Sequence, residues 1–515
     1  MSLRPSRSMA LLAALMLTGC APAIIGFHEI TDYRAKYGAE TKDIHLHDIH
    51  GKAIMAGLRS PQERPERTSS PKCSVALTMS GGGSISAAFA YGVLREMAEW
   101  DKVQVAGVPT SLLSQVDYIS TASGGGITGA ILAGVFWEKE VVNALDATPF
   151  SPDSFHQSLK RHFDSKDYKA TFSERYLGNN EFLFTNGQER LRRFRKRLPI
   201  GVFGLNYQDK DCDSALTFDD MFSREQPVAQ EDRPGEEKQL YARARSYAPA
   251  WIPNATSFAD GTRVPLTSAV MGKLQVVGIS HQELLCEAKP DTFAEWPMSE
   301  ALAASMSFPG IGPYRMKSRL GQLDLVDGGL ADNLGVFTAL DVVRADMEPS
   351  LRRAERGLII VIDSSTDAQA GMFVSESVKV PESEYLLEYG KTELFAQYPV
   401  AAEALEAAQP GIAHVFVRAR DFRTSTDMME TCTGLLPESD KIPGASGCPA
   451  GSTPQSMKVG EYVRDQRTSA AITYAHADGL MQLGRMAAKQ ARCDILTKLQ
   501  HCIAGSDEPA PPACP

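Results

Sequence analysis

The chain has 515 residues, 43% of them hydrophobic and 23% charged, and a formal net charge of −10. That acidic balance argues against nucleic acid as a general partner, because contacts to a phosphate backbone need a basic surface. Beyond the N-terminal segment no run is long and apolar enough to span a bilayer, so any membrane attachment is expected through a lipid.

Residues 1–19 have the layout of an export signal. Arg4 and Arg7 open it, Met9 to Leu17 form an apolar run too short for a mature spanning helix, and Leu17-Thr18-Gly19-Cys20 closes it. The closing motif resembles a bacterial lipobox. That resemblance implies cleavage before Cys20, a lipid on Cys20 and, with Ala21 next, an outer-membrane location in the cell envelope; a plain secretory signal is the alternative. Residues 20–70 read as a lipidated tether and N-terminal extension. His45, His47 and His50 cluster there, but no Asp, Glu or Cys completes a metal set, and a solvated stretch is the favoured reading. With Cys20 assigned to lipid, eight of the nine cysteines remain. An even number in an exported chain suggests disulfides. Cys432 with Cys448 and a pair among Cys493, Cys502 and Cys514 are candidate local staples, and free buried thiols are the alternative.

The core is expected over residues 71–370. Ser74 to Ser80 is a near-continuous apolar strand suited to a sheet buried on both faces. Gly81-Gly82-Gly83 follows, and then a helix whose Ile85, Ala88, Phe89, Gly92, Val93 and Met97 share one face. A second unit repeats the plan: a strand over Val116 to Ser120, Ser123 at a turn among Ala122, Gly124, Gly125 and Gly126, and a helix to about Trp137. Small residues around a serine at a strand-to-helix turn are what an exposed nucleophile requires, since larger side chains clash there. Alternating strands and helices argue for a parallel sheet covered by helices. An insertion interrupts at about 146–255. Its run Arg190 to Arg197 is either a contact for anionic lipid head groups or, the favoured reading, a solvated face paired with acids. The core resumes near Leu274 to Ser280, with a short helix at Ser299 to Ser305 and strands at Leu323 to Val326 and Leu358 to Ile362. Residues 371–515 read as an appended, mostly helical, disulfide-stapled region, with one strand at His414 to Val417.

Three pieces carry chemistry. Ser123 is a hydroxyl in need of a base. Ser80-Gly81-Gly82-Gly83 is a glycine run whose amides, with that of Gly124, can converge on one developing oxyanion. Asp327, in Asp327-Gly328-Gly329, ends a strand and projects at the sheet edge that carries Ser123. Asp332 and Asn333 read as turn and packing residues, and Asp324 as uninvolved.

In this order the motifs resemble those of the patatin-like phospholipases, in particular the bacterial envelope lipoproteins among them. The matching segments are Gly81-Gly82-Gly83, Gly92-Val93-Leu94, Thr121-Ala122-Ser123-Gly124-Gly125, Asn254-Ala255-Thr256, Ala304-Ser305 to Pro309, and Asp327-Gly328-Gly329, over about 73–345. The resemblance implies a three-layer α/β/α core with a mainly parallel sheet. It also implies a Ser123–Asp327 dyad that cleaves acyl esters such as phospholipids through an acyl-enzyme, with Gly81, Gly82, Gly83 and Gly124 as the oxyanion hole and no metal or organic cofactor. His414, His476 and His501, all in the C-terminal region, read as structural rather than as a triad member. Two positions depart from the pattern: Thr121 stands where the family has its first elbow glycine, and Ile85 where an arginine usually follows the glycine loop. Those departures keep a second reading open, a catalytically degenerate envelope protein that binds lipid or a protein partner.

Overall fold

The computed structural model describes residues 73–100, 103–105, 108–136, 139–147, 151–165, 247–259, 261–279, 298–307, 313–351, 353–365, 401, 403–407, 410–433, 453–464, 472 and 474–504. Cys20, the tether and its histidines, Arg190 to Arg197, Cys448 and Cys514 lie outside these.

The first half alternates strand and helix as its apolar runs dictate. It consists of β1 (Cys73–Met79), α1 (Gly83–Glu99), a ribbon of β2 (Val103–Val105) and β3 (Val108–Thr110), β4 (Tyr118–Ala122), α2 (Gly125–Val135), α3 (Lys139–Asp146), α4 (Pro152–Ser165) and β5 (Ala250–Ser257). Antiparallel pieces follow: β6 (Arg263–Pro265), α5 (Ser268–Lys273), β7 (Val276–Ile279), α6 (Met298–Ser305), β8 (Tyr314–Ser318) and β9 (Gly321–Asp327). The chain then runs through α7 (Gly329–Asp332), α8 (Val336–Met347), β10 (Arg356–Asp363) and β11 (Ile412–Arg418). A hairpin of β12 (Met428–Thr433) and β13 (Thr453–Lys458) precedes α9 (Val459–Arg464) and the 31-residue α10 (Tyr474–Ala504).

Among the described residues one nine-stranded sheet runs β11-β10-β1-β4-β5-β9-β8-β7, with β6 paired to β5 off that path. The strands from β11 to β5 are parallel, and β5 onward is antiparallel. The sheet has helices on both faces. Thr121 meets Gly129 of α2, whereas Tyr118 donates to Asp346 of α8 at 2.8 Å. Alternate residues of a strand face opposite ways, so α2 and α8 cover opposite faces. This is the three-layer α/β/α arrangement expected from the sequence.

One boundary differs from expectation. The core resumes at Ala250 rather than near Leu274, and β5 is an interior strand beside β4. Pro253 and the polar Asn254 and Thr256 disguise it, since proline is rare in interior strands. Pro253 accepts from Leu266 N at 2.8 Å on its outer flank, and β6 and β9 pair with β5 only from Asn254 onward, so the absent N–H is not missed. The expected strand at Leu323 to Val326 is part of β9 and runs antiparallel to β5. The expected strand and helix past residue 370 are present and join the core: β11 extends the sheet beside β10 in parallel, and α10 lies along α1. That packing brings backbones together, because a Cβ on Gly92 would strike the Met481 carbonyl and one on Gly484 the Phe89 carbonyl. Cys502 of α10 is disulfide-bonded to Cys73 of β1, 429 residues away, so it is not a local staple with Cys493 or Cys514.

Candidate active site

The elbow between β4 and α2 is built by crowding. Ser123 has φ 47°, a left-handed conformation costly for a residue with a side chain and sustained only when surroundings impose it. A Cβ on Gly124 would lie 2.6 Å from Gly83 N and closer still to its carbonyl, and one on Gly125 would lie 2.6 Å from the carbonyl oxygens of Met79 and Ser80. The elbow therefore presses directly on the glycine loop after β1, and only glycine fits at that contact. On the other side, Ser305 Oγ, at the end of α6, accepts the Ser123 N–H at 3.1 Å. The amide that the strained turn frees thus has a partner.

Ser123 Oγ donates to Asp327 Oδ2 at 2.6 Å. Asp327 ends β9, where it pairs with Ala255 of β5; Asn254 in turn pairs with Ala122, so serine and aspartate stand at one level of the sheet. The second carboxylate oxygen, Oδ1, accepts Gly329 N–H at 2.7 Å. The flanking backbone is fixed as well, with Asp327 N donating to Ser307 O at 2.9 Å and Thr256 Oγ1 to Asp327 O at 2.8 Å. Burial raises the Asp327 carboxyl to about 6, against the pull of the hydrogen bonds from Ser123 and Gly329. A carboxylate so placed can accept the serine proton near neutral pH.

The glycine loop faces this pair. A Cβ on Gly81 would lie 3.2 Å from Ser123 Cβ. Gly82 and Gly83 have φ of 140° and 66°, conformations open to glycine, and Gly83 begins α1. Of the four amides expected to bind an oxyanion, that of Gly81 is already committed, donating to Asn333 O at 2.8 Å. Those of Gly82, Gly83 and Gly124 donate to no acceptor among the described residues.

A family model described as patatin-like phospholipase matches residues 77–340, just over half of the chain. The chain belongs to the patatin-like phospholipase family. That family is one of lipid acyl hydrolases, and the match spans the glycine loop, Ser123 and Asp327. No curated protein matches the chain. Solved structures similar to it include human GIVD cytosolic phospholipase A2, at 11% identity and a TM-score of 0.37 over 97% of this chain and 65% of that one. The same human enzyme in complex with methyl gamma-linolenyl fluorophosphonate gives 13% identity and a TM-score of 0.35 over 97% and 64%. The chain thus spans just under two thirds of those proteins.

Both departures from the patatin-like pattern have a structural account. Thr121 lies within β4, not in the turn. Its Oγ1 accepts Trp251 Nε1–H at 2.9 Å, and its methyl occupies the space that Gly129 leaves on α2. Ile85 is a buried apolar position in the first turn of α1. Among the described residues, neither Ser123 nor Asp327 bonds a histidine. His414 lies within β11 against Phe416, and His476 lies on α10 against Tyr462. Asp324 is held by Arg315 at 2.5 and 2.7 Å. Asp332 is buried beneath the site, bonded by Thr338 N at 3.2 Å with Arg263 beyond it, and burial raises it to about 6.

Sequence reasoning assigned no role at the site to three supporting residues, although Asn254 stands in a matching segment and Asn333 in a turn. Ser305 was seen only as part of a motif, and its bond to Ser123 N is visible only in three dimensions. Asn333 ties the glycine loop to the Asp327 turn. Asn254 donates to Ser120 Oγ and Thr121 O, each at 3.0 Å, and accepts from Thr338 Oγ1 at 2.6 Å, which braces the strand beneath the nucleophile.

Proposed function

We propose that the protein is a serine lipid acyl hydrolase, of phospholipase A or esterase type, in which Ser123 attacks an acyl ester while Asp327 takes its proton. The observation that carries this reading is the 2.6 Å bond between Ser123 Oγ, on a left-handed elbow, and the buried Asp327 carboxylate. The tetrahedral oxyanion is held by the amides of Gly82, Gly83 and Gly124 at the amino ends of α1 and α2, where helix dipoles add to the field. Asp327 returns its proton to the leaving alcohol, leaving an acyl-Ser123, and a water activated by the same carboxylate then releases the fatty acid. Substrates are membrane lipids or other acyl esters, and no cofactor takes part. An envelope location with a lipid on Cys20 fits the leader, and the Cys73–Cys502 disulfide supports an oxidising compartment.

The test is turnover of a chromogenic acyl ester by purified protein, beside Ser123→Ala and Asp327→Asn. Each variant is expected to lose at least about a thousandfold in kcat, the scale of deleting a nucleophile or its base. A fluorophosphonate is expected to label Ser123 in the folded wild type and not in Ser123→Ala. Wild-type turnover equal to that of Ser123→Ala sinks hydrolysis and leaves the degenerate, lipid-binding reading.

A further inference from the structure

The antiparallel end of the sheet reaches past the edge that carries the dyad. β9 pairs Asp327 with Ala255 and Leu325 with Ser257. The earlier residues of β9, and the turn joining it to β8, therefore lie beyond the carboxyl end of β5, on the Ser123 side. The tip of that hairpin is tied to the turn between α5 and β7: Arg319 N donates to Gln275 O at 3.0 Å, and Ser318 Oγ to Leu274 O. Gln275 holds φ 50°, and the register of β7 on β8 shifts between Val276 and Gly278, where Lys317 lies opposite Gly278.

This corner presents an uncommon set of side chains. Lys273, Lys317 and Arg319 are exposed, and none forms an ion pair among the described residues. Of the two carboxylates in the hairpin, Asp324 is spent on Arg315 and Asp327 is at the other end of β9. Leu320 and Val277 are 48% and 53% exposed, two of only four large apolar side chains so exposed among the described residues. Positive charge with no ion-pair partner among the described residues, set around protruding apolar groups on an acidic chain, fits a surface that is anionic outside and apolar within.

We propose that this corner docks on an anionic lipid bilayer, with Lys273, Lys317 and Arg319 against head-group phosphates and Leu320 and Val277 entering the interface. A bilayer held there faces the edge bearing Ser123. Roughly 20 Å of β9 separates the tip from Asp327, so the surface can be altered without touching the dyad. The docking stands whether or not Ser123 hydrolyses anything.

The experiment uses the full chain with Cys20→Ser and Ser123→Ala, which removes both acyl attachment and turnover, in co-sedimentation with phosphatidylcholine vesicles with and without phosphatidylglycerol. The parent is expected to partition more strongly onto the anionic vesicles, with the excess lost in high salt. Replacing Lys273, Lys317 and Arg319 together by Gln is expected to lower that partition on the order of a hundredfold. Leu320→Ser is expected to weaken it severalfold on both vesicle types. With Ser123 intact, the same surface variants are expected to keep wild-type turnover of a dispersed ester, which certifies their fold. Equal partition of parent and triple variant, or no preference of the parent for anionic vesicles, overturns the proposal and leaves the charges only blunting a sheet edge against pairing.

Discussion

At the residue scale the decisive group is Asp327. Its carboxyl is raised by burial to about 6, and in the proposed base role it works only when ionised. Turnover (kcat/KM) is therefore expected to rise with pH through an apparent pKa near 6 and to stay level above it, measured on an uncharged ester. A profile flat from pH 5 to 8 would remove Asp327 from the base role. The same shift has a cost in stability. A carboxyl whose folded pKa exceeds its unfolded value near 4 binds its proton more tightly when folded, so stability falls as pH rises from about 4 to 6. Asp327→Asn removes that penalty and is expected to be more stable than the wild type above pH 6, by up to the order of 2–3 kcal/mol, while inactive. Ser123 and Asp327 were legible from sequence because each sits beside glycines at a strand end. Ser305 and Asn333 were not, since an ordinary serine and asparagine gain their roles only by touching residues far along the chain.

At the scale of elements, β4 and α2 decide whether Thr121 harms the elbow. In the structure its hydroxyl serves the Trp251 indole and its methyl packs on Gly129. Thr121→Gly, which restores the family residue, is expected to cost about 1–3 kcal/mol in chemical denaturation through a lost buried hydrogen bond and a small void. Turnover is expected to change less than about threefold, a difference of well under 1 kcal/mol in barrier. A large gain in turnover would mean that Thr121 obstructs the nucleophile. The parallel elements were readable because strands buried on both faces are written as continuous apolar runs. β5 was not, as its interior position holds a proline whose flank uses only its carbonyl, to Leu266 N, and nothing local in the sequence reports that.

At the scale of the molecule, the C-terminal region belongs to the fold that carries the site. α10 covers α1, whose amino end holds Gly83. Arg485 pairs with Glu96 and Glu99 across the two helices, each at 3.0 Å, and the Cys73–Cys502 bond closes a loop of 429 residues. Replacing both cysteines by Ala is expected to lower stability by about 2–4 kcal/mol, with the first measurable loss in the protection of α10 amides from hydrogen exchange. A larger loss of Tm under reduction in the wild type than in the double variant, in which Cys493 keeps its own disulfide, is the matching control. The sequence by itself determined the layered α/β plan, the elbow serine, the glycine loop and the late aspartate, because backbone conformation and strand burial are written in local residue choice. Only the tertiary structure decided that Gly81 is spent on Asn333, that β5 lies inside the sheet, that Cys502 reaches back to the first strand, and that Lys273, Lys317 and Arg319 share a corner with Leu320. Those facts depend on which distant segments meet, and no local pattern encodes that.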